Sequence, residues 1–258
     1  MNNHPLLCVR ALRKTWDGIR GCRDVHFDLY PGEVLCIVGE SGSGKSTLLQ
    51  AISAQTALDA GSVHYAMHGN GMIDLATLSA ARLRLLSRTD WGFVRQHARD
   101  GLRMQISAGG NIAERLMGVG ERHYDTLRGE ASLWLEKLEI DAERLDDKPD
   151  TFSGGMQQRL QIARNLVTHP RLLFMDEPTA SLDVSVQARL LDLIRQLVND
   201  LRLAVIFVTH DLAVARLLAH RTLVMQGGLV VESGLTDQVL DDPQHPYTQL
   251  LVSSMLQG

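Results

Sequence analysis

The chain has 258 residues, of which 45% are hydrophobic and 22% charged, and its formal net charge is −4. This length allows one or two domains with a large buried core. A chain without a basic excess is poorly suited to nonspecific nucleic-acid binding, because that binding depends on neutralising phosphates. The apolar runs, such as Leu203 to Val208, are only as long as strands, so any contact with a membrane would require a partner protein.

The N-terminal part of the chain carries two further signals. Residues Met1 to Pro5 lack a charged leader followed by a long apolar stretch, so we expect no secretory signal and a cytoplasmic location. The three cysteines, Cys8, Cys22 and Cys36, are odd in number, which favours free thiols over a disulfide framework or a metal site. Cys36 lies within an apolar run and is predicted to be a small core residue.

The first half of the chain is predicted to contain several strands and two helices. Alternating apolar positions in residues 6–12 and 25–29 predict two short antiparallel strands. After a turn at Pro31–Glu33, the run Val34 to Val38 is apolar throughout, as expected for a strand covered on both faces. A helix is predicted from Lys45 to about Ala54. The remaining predicted elements are a strand at 62–65, a polar loop, a helix near 78–86 and a strand at 91–94.

The second half changes character and then returns to an alternating pattern. Helical periodicity dominates residues 97–152, which predicts an inserted helical subdomain. Ser153 is a suitable N-cap for a helix that continues to about Thr168. The elements after it alternate as in a parallel α/β sheet. They are a strand at 171–175, a helix at 184–201, a strand at 204–208, a helix at 212–219, and strands at 221–226 and 229–232 around a Gly-Gly turn.

A phosphate-binding motif lies between the apolar strand at 34–38 and the helix that follows. The pattern Gly39-x4-Gly44-Lys45-Ser46 in this setting predicts a P-loop, in which backbone N–H groups and a helix N-terminus surround phosphates. Lys45 is expected to span the β- and γ-phosphates of ATP, and Ser46 to ligate Mg²⁺. The alternative is a structural glycine turn. The predicted nucleotide-binding residues are Gly39, Glu40, Ser41, Gly42, Ser43, Gly44, Lys45, Ser46 and Thr47.

Two acidic residues end the predicted strand at 171–175. Asp176 stands where a carboxylate can hold the Mg²⁺ shell through water, and Glu177 is placed to orient and polarise the attacking water. Such groups act by positioning and charge stabilisation, so each is expected to lower the barrier by several kcal/mol. The alternative is an acidic pair that caps a helix before Pro178.

Four more positions are candidates for contact with the nucleotide. His210, after the strand at 204–208, is a candidate sensor of the γ-phosphate, and Gln96, after the strand at 91–94, can contact Mg²⁺ or water. Gln96 also begins the helical insertion and could transmit the nucleotide state into it. Trp16 is a candidate stacking platform for adenine or, alternatively, a surface aromatic. Asp183 is expected at a contact between protomers or is a simple N-cap.

The segment Phe152-Ser153-Gly154-Gly155-Met156-Gln157-Gln158-Arg159 completes the pattern. Its serine and two glycines open a helix and form a second possible anion site, although an ordinary capped helix start is the alternative. Together with the P-loop and the acidic pair, this segment resembles the signature of the ATP-binding cassette (ABC) ATPases, and the resemblance extends over residues 6–254. It implies an α/β P-loop NTPase fold, with a RecA-like core, an antiparallel β subdomain and a helical subdomain at about 97–152.

The resemblance also implies how the residues act. In that family two protomers close over two ATP molecules, so Ser153, Gly154, Gly155 and Gln157 would serve the nucleotide held by the partner protomer. Gln96, Asp183 and His210 would complete the site, Glu177 and His210 would be catalytic, and Ser46, Gln96 and Asp176 would hold Mg²⁺.

Two regions indicate which branch of the family the chain resembles. The tail from Asp242 to Leu251, in an extension of about 235–258, resembles the peptide and nickel importer ATPases. The stretch from Gln96 to Ile112 lacks the Asn-Pro pattern usual in those importers. Together with Phe152 to Asn165 and Leu235 to Leu251, this stretch resembles the ATP-binding subunits of bacterial carbon–phosphorus lyase complexes. The resemblance implies docking on a soluble enzyme core for phosphonate breakdown.

Other functions fit less well. The alternative is a peptide, nickel or phosphonate importer ATPase that acts on a membrane permease. A DNA-repair ATPase of the superfamily would need a long coiled-coil insertion, and a translation factor would need two cassettes; the sequence shows neither. A non-hydrolysing scaffold gated by ATP would not need Glu177 and His210.

Overall fold

The computed structural model describes residues 4–18, 20–69 and 71–255. The first three residues and the last three of the predicted C-terminal extension lie outside this range. The strands are β1 (Leu7–Trp16), β2 (Arg20–Leu29), β3 (Val34–Val38), β4 (Ala60–Met67), β5 (Gly71–Asp74), β6 (Trp91–Val94), β7 (Leu172–Asp176), β8 (Ala204–Thr209), β9 (Arg221–Gln226) and β10 (Leu229–Leu235).

The helices connect these strands and dominate the middle of the chain. They are α1 (Lys45–Ile52), α2 (Ala80–Thr89), α3 (Ala98–Gly101), α4 (Ala108–Gly118), α5 (Tyr124–Lys137), α6 (Gly154–Leu166), α7 (Val184–Leu201), α8 (Leu212–Leu218), α9 (Thr236–Asp241) and α10 (Pro246–Met255). Short 3₁₀ turns occupy Leu75–Thr77, Ala142–Asp146 and Pro149–Thr151.

The chain forms two compact units, one of residues 1–83 with 198–258 and the other of residues 84–197. In the first unit, an antiparallel sheet has the strand order β2-β1-β4-β5. The same unit contains the strand order β10-β9-β3-β8, in which β3 is parallel to β8 and β9 while β9 and β10 form a hairpin. Every residue of β3 and of β8 is buried, as expected for strands covered on both faces.

The second unit is mostly helical. Its strands β6 and β7 pair in parallel. Residues 97–152 form only helices, 3₁₀ turns and loops, which confirms the helical pattern predicted there. The core contains Trp134, which is fully buried in α5, and Phe174 of β7, whose ring meets the Trp91 ring edge-on with 5.5 Å between centroids.

Most predicted elements are confirmed, and the differences have identifiable causes. Strand β1 continues to Trp16, past the predicted end at residue 12, because Ala11 adopts a left-handed φ of 46° and shifts the register of the ladder. That bulge interrupts the alternation on which the prediction depended. Strand β5 falls in a stretch predicted to be a polar loop. It has only four residues and pairs with β4 without a buried residue, so its sequence carries no strand pattern.

Candidate functional site

The loop between β3 and α1 is a tight turn that requires glycine. Gly39, Gly42 and Gly44 have φ values of 149°, 83° and 105°. A Cβ atom at Gly39 would overlap the carbonyl oxygen of Met225, and one at Gly44 would overlap that of Gly21. These residues are therefore fixed by backbone conformation and by close packing of the main chain.

Helix α1 begins at the end of this loop, directly after Gly44. Within the described residues no side chain caps the helix, and its first turn contains no acidic residue. The hydroxyl of Ser43 is buried without a hydrogen-bond partner among the described residues. The backbone N–H groups and the positive end of the dipole at a helix start favour an anion at this point. The arrangement fits a bound phosphate group.

Lys45 brings a full positive charge to the same loop. Its side chain is only 5% exposed, and its Nζ atom donates to the carbonyl oxygens of Gly39 at 2.7 Å and Glu40 at 2.9 Å. A buried ammonium group needs such acceptors. Phosphate oxygens could replace these carbonyls without leaving the charge unpaired.

His210 leaves the sheet beside this loop. Strand β3 runs parallel to β8 with Val38 opposite Thr209, so Gly39 and His210 follow adjacent strands at the same edge. His210 is exposed, and the next residue, Asp211, caps α8 by accepting from the N–H of Ala213 at 2.8 Å. The cap fixes the backbone after His210 and leaves its ring at the edge where the P-loop begins.

Trp16 lies in the same unit at the end of β1. It is 45% exposed, and the Nζ atom of Lys14 lies 4.8 Å from its ring centroid. The preceding residue, Thr15, pairs with Gly21, and the carbonyl of Gly21 packs against Gly44. Trp16 therefore stands close to the P-loop with part of its ring accessible.

The acidic pair and Gln96 meet at a sheet edge in the second unit. Strands β6 and β7 pair with Val94 opposite Met175, so Gln96 and Asp176 follow the carboxyl ends of adjacent strands. Glu177 has a left-handed φ of 44°, which bends the chain sharply after Asp176. This conformation is uncommon for a residue with a side chain and often accompanies function.

The signature residues lie at an exposed helix start. The hydroxyl of Ser153 accepts from the N–H of Met156 at 3.3 Å, which confirms the predicted N-cap. The space around Gly154 is open, with no atom within 4 Å of a Cβ placed there. A Cβ at Gly155 would lie 2.5 Å from Val186, so the starts of α6 and α7 are close together. Asp183 is exposed just before α7.

Gln157 differs from its neighbours in orientation. It is buried, and its Nε2 atom donates to the carbonyl oxygens of Pro149 at 2.9 Å and Phe152 at 3.2 Å. These bonds hold the loop that leads into Ser153. The structure thus places the predicted nucleotide-binding side chain of Gln157 inside the unit, where it orders the signature loop.

Sequence reasoning gave no role to a row of buried amides on α6, which we call the polar ladder: Gln158, Gln161 and Asn165. Asn165 exchanges two hydrogen bonds with the backbone of Phe93, at 2.9 and 3.1 Å. Gln161 accepts from the N–H of Arg95 at 2.6 Å, and Gln158 donates to the carbonyl oxygen of Arg95 at 3.0 Å. The ladder therefore ties the signature helix to the strand that leads to Gln96. The available signal was the spacing of these amides at positions i, i+3 and i+7, which places them along one side of the helix.

The segment after Gln96 is held by side chains of the same unit. Asn111 is fully buried and accepts from the N–H of Arg103 at 2.8 Å while donating to the carbonyls of Arg103, Ile106 and Ser107. Arg164 of α6 donates to the carbonyl of Gly101. This segment, residues 97–107, is thus a specific structure attached to the signature helix.

Three arginines surround that attachment: Arg103 is exposed, and Arg115 and Arg164 are half-buried. Arg164 pairs with Glu114 at 2.9 Å, and Arg103 pairs with the same carboxylate. Arg115 donates to the carbonyls of Ser87 at 3.1 Å and Trp91 at 2.9 Å. Burial lowers the pKa of Arg115 to about 10, and the charges of Arg164 and Arg88 contribute. The guanidinium groups therefore link α4 and α6 to backbone carbonyls at considerable electrostatic cost.

The three cysteines do not form a disulfide among themselves. Cys8, Cys22 and Cys36 are free thiols, and burial raises the pKa of Cys22 to about 11. In the part of the chain that is described, no group of three or more His, Cys, Asp or Glu residues is arranged to hold a metal ion.

Across residues 4–18, 20–69 and 71–255, no helix has both the length and the apolar character needed to cross a membrane.

Comparison with known proteins identifies the family. The model of the family described as "ABC transporter" matches residues 22–180. The chain is 65% identical to the putative phosphonates utilization ATP-binding protein PhnK of Escherichia coli K12, covering 99% of this chain and all of that protein. It is 38% identical to the oligopeptide transport ATP-binding protein OppD of Bacillus subtilis, covering 94% of this chain and 68% of that protein.

Solved structures agree with this assignment. A dimeric post-hydrolysis ATP-binding cassette, MJ0796, bound to ADP and Pi, matches with a TM-score of 0.78 and 29% identity, over 89% of this chain and 98% of that one. The cassette cbiO1 of Clostridium perfringens, part of a transporter complex, matches with a TM-score of 0.80 and 25% identity, over 92% and 91% of the two chains. The predicted cassette fold and the resemblance to phosphonate-utilisation ATP-binding proteins are confirmed.

The polar ladder leads to a prediction about Gln161. The change Gln161→Ala leaves the part-buried backbone N–H of Arg95 without its acceptor, which should reduce the free energy of unfolding by about 0.5–1.5 kcal/mol. Hydrogen exchange of residues 93–96 should accelerate as well. The matched control is Gln105→Ala, at an exposed glutamine of the same unit. Unchanged exchange of residues 93–96 in the Gln161 variant would show that the ladder does not hold β6.

Proposed function

Because this chain belongs to the ABC transporter family of ATP-hydrolysing cassettes, we propose that it works as a dimer that closes over Mg-ATP, hydrolyses it and reopens. The second protomer is another copy or a sister cassette. We further propose that the cycle acts on a phosphonate-degrading enzyme core, in the cytoplasm. The observation that carries this proposal is the end-to-end match, at 65% identity, to a protein named for phosphonate utilization.

The P-loop is the proposed phosphate site. Its glycine backbone, the uncapped start of α1 and the buried hydroxyl of Ser43 offer donors, and Lys45 offers the charge. On binding, the Lys45 ammonium would exchange its two carbonyl acceptors for oxygens of the β- and γ-phosphates. Trp16 would stack on adenine with its accessible face.

Three oxygen-bearing side chains are proposed to hold Mg²⁺. Ser46 is exposed at the start of α1, and Gln96 and Asp176 share one sheet edge in the second unit. Hydroxyl, amide and carboxylate oxygens suit this hard cation, whose contribution when bound is to neutralise charge on the phosphates. Glu177 would orient and polarise the attacking water. His210 would bind the γ-phosphate from the end of β8.

The signature serine and glycines are proposed to act on the partner's nucleotide. Ser153 and Gly154 lie at an exposed, open helix start, and Asp183 is exposed just before the neighbouring helix α7. A helix start of this kind can face a γ-phosphate across an interface. The dimeric arrangement of the cassette MJ0796 supports this proposal.

The segment 97–107 is the proposed link to the partner complex. It is attached to the signature helix through Arg164, and the polar ladder ties the same helix to Arg95, which directly precedes Gln96. Movement of that helix on dimer closure would therefore displace the segment. The second candidate partner is a membrane permease, favoured by the 38% identity to an oligopeptide transport ATP-binding protein.

The catalytic assignment predicts the behaviour of Glu177→Gln. The variant should bind ATP normally and lose roughly 10²–10³-fold in kcat, because the amide cannot polarise the attacking water. Phosphate release and size-exclusion chromatography with ATP measure this, and the variant should accumulate as a closed dimer. Glu136→Gln, at an exposed glutamate of α5, serves as the matched control. Normal turnover in the Glu177 variant would overturn the assignment, and absent turnover in the wild type would favour an ATP-gated scaffold.

The partner assignment predicts what co-purifies with the protein. A tagged chain expressed at native level, in cells grown on a phosphonate as phosphorus source, should recover carbon–phosphorus lyase core subunits from the soluble fraction. The detergent-solubilised membrane fraction is analysed in parallel by mass spectrometry. Stoichiometric recovery of a membrane permease without core subunits would contradict the proposal and support the importer alternative.

A further inference from the structure

The C-terminal segment reaches the P-loop within the first unit. The hydroxyl oxygen of Tyr247, in α10, accepts a hydrogen bond from the backbone N–H of Glu40 at 3.1 Å. Tyr247 is only 6% exposed. More than two hundred residues of sequence separate the two groups, so the contact depends entirely on how the tail is folded.

This bond acts on a peptide unit that Lys45 also contacts. The carbonyl of Gly39 and the N–H of Glu40 belong to the same planar peptide group. Lys45 donates to that carbonyl at 2.7 Å, and Tyr247 accepts from that N–H. The first peptide of the P-loop is therefore held at both ends, by the phosphate-binding lysine and by the tail.

The tail that carries Tyr247 is itself anchored. The carboxylate of Glu232, in β10, accepts from the N–H of Gln244 at 2.8 Å and from that of His245 at 3.0 Å. The Nδ1 atom of His245 then accepts from the N–H of Tyr247 at 3.1 Å. Helix α10 packs against α8 and α9. A chain of contacts thus runs from Glu232 to the P-loop.

The phenol of Tyr247 is suited to accepting a hydrogen bond from the N–H of Glu40. Burial raises its pKa above the ordinary value, so it stays neutral at physiological pH. A neutral hydroxyl can accept from one amide while keeping its proton for another acceptor. The bond does not require a particular charge state of the nucleotide and can persist when ATP is bound.

We propose that Tyr247 is a positioning residue, through which the C-terminal segment 242–255 sets the affinity of the P-loop for ATP. The hydroxyl fixes the Gly39–Glu40 peptide in the orientation that the loop needs, so the loop loses less conformational freedom when phosphate binds. Displacement of α10, for example by a partner that binds its exposed Leu250, would weaken ATP binding. This inference rests on the proposed ATP site.

The test is Tyr247→Phe, which removes the hydroxyl and keeps the ring. The dissociation constant and KM for ATP should rise on the order of 5-fold, the effect of one hydrogen bond, with kcat within about twofold of wild type. Hydrogen exchange of residues 39–44 in the ATP-free protein should accelerate, while β3 stays protected. Glu232→Ala, which releases the anchor, should shift ATP affinity in the same direction.

The control is Tyr30→Phe, at a half-buried tyrosine of the same unit. Unchanged ATP affinity in the Tyr247 variant, a fall in kcat at constant KM, or an equal effect of the Tyr30 variant would overturn the inference. These outcomes are distinct from failure of the proposed function, which would appear as a wild-type protein that does not bind ATP.

Discussion

The parallel pairing of β3 with β8 and β9 is the constraint on which the first unit depends. Both β3 and β8 are buried along their full length, so their backbone polar groups must be satisfied within the sheet. The register then fixes where each strand ends. It places the glycine loop after Val38 beside His210 and beneath the carbonyl of Met225. The glycines are required because two backbone segments already occupy the space.

In the second unit, side chains satisfy backbone groups at the end of a strand. Strand β6 is short. The backbone N–H of Phe93 in this strand is bonded by the side-chain amide of Asn165, and that of Arg95, just after the strand, by the amide of Gln161. Those amides lie on the helix whose exposed end carries Ser153. A rigid helix therefore joins the proposed partner-facing residues to the strand before Gln96, which supplies a physical route for coupling within this unit.

The sequence was sufficient to predict the bounds of elements with strong periodicity and to identify the motif residues. Helix α7 and strand β6 begin and end where predicted, and Ser153 caps α6 as predicted. Positions that depend on distant contacts could not be predicted. The bulge at Ala11, the inward orientation of Gln157 and the bond between Glu40 and Tyr247 all arise from tertiary packing, which local pattern does not encode.

The central claim is that each active site takes its P-loop from one protomer and its signature serine from the other. The most direct test mixes two variants, Lys45→Ala and Ser153→Arg, each nearly inactive alone, and measures phosphate release. A mixture should regain about a quarter of wild-type turnover, since half of the dimers are mixed and each of these has one complete site. No recovery, although mixed dimers are shown to form, would contradict the shared site.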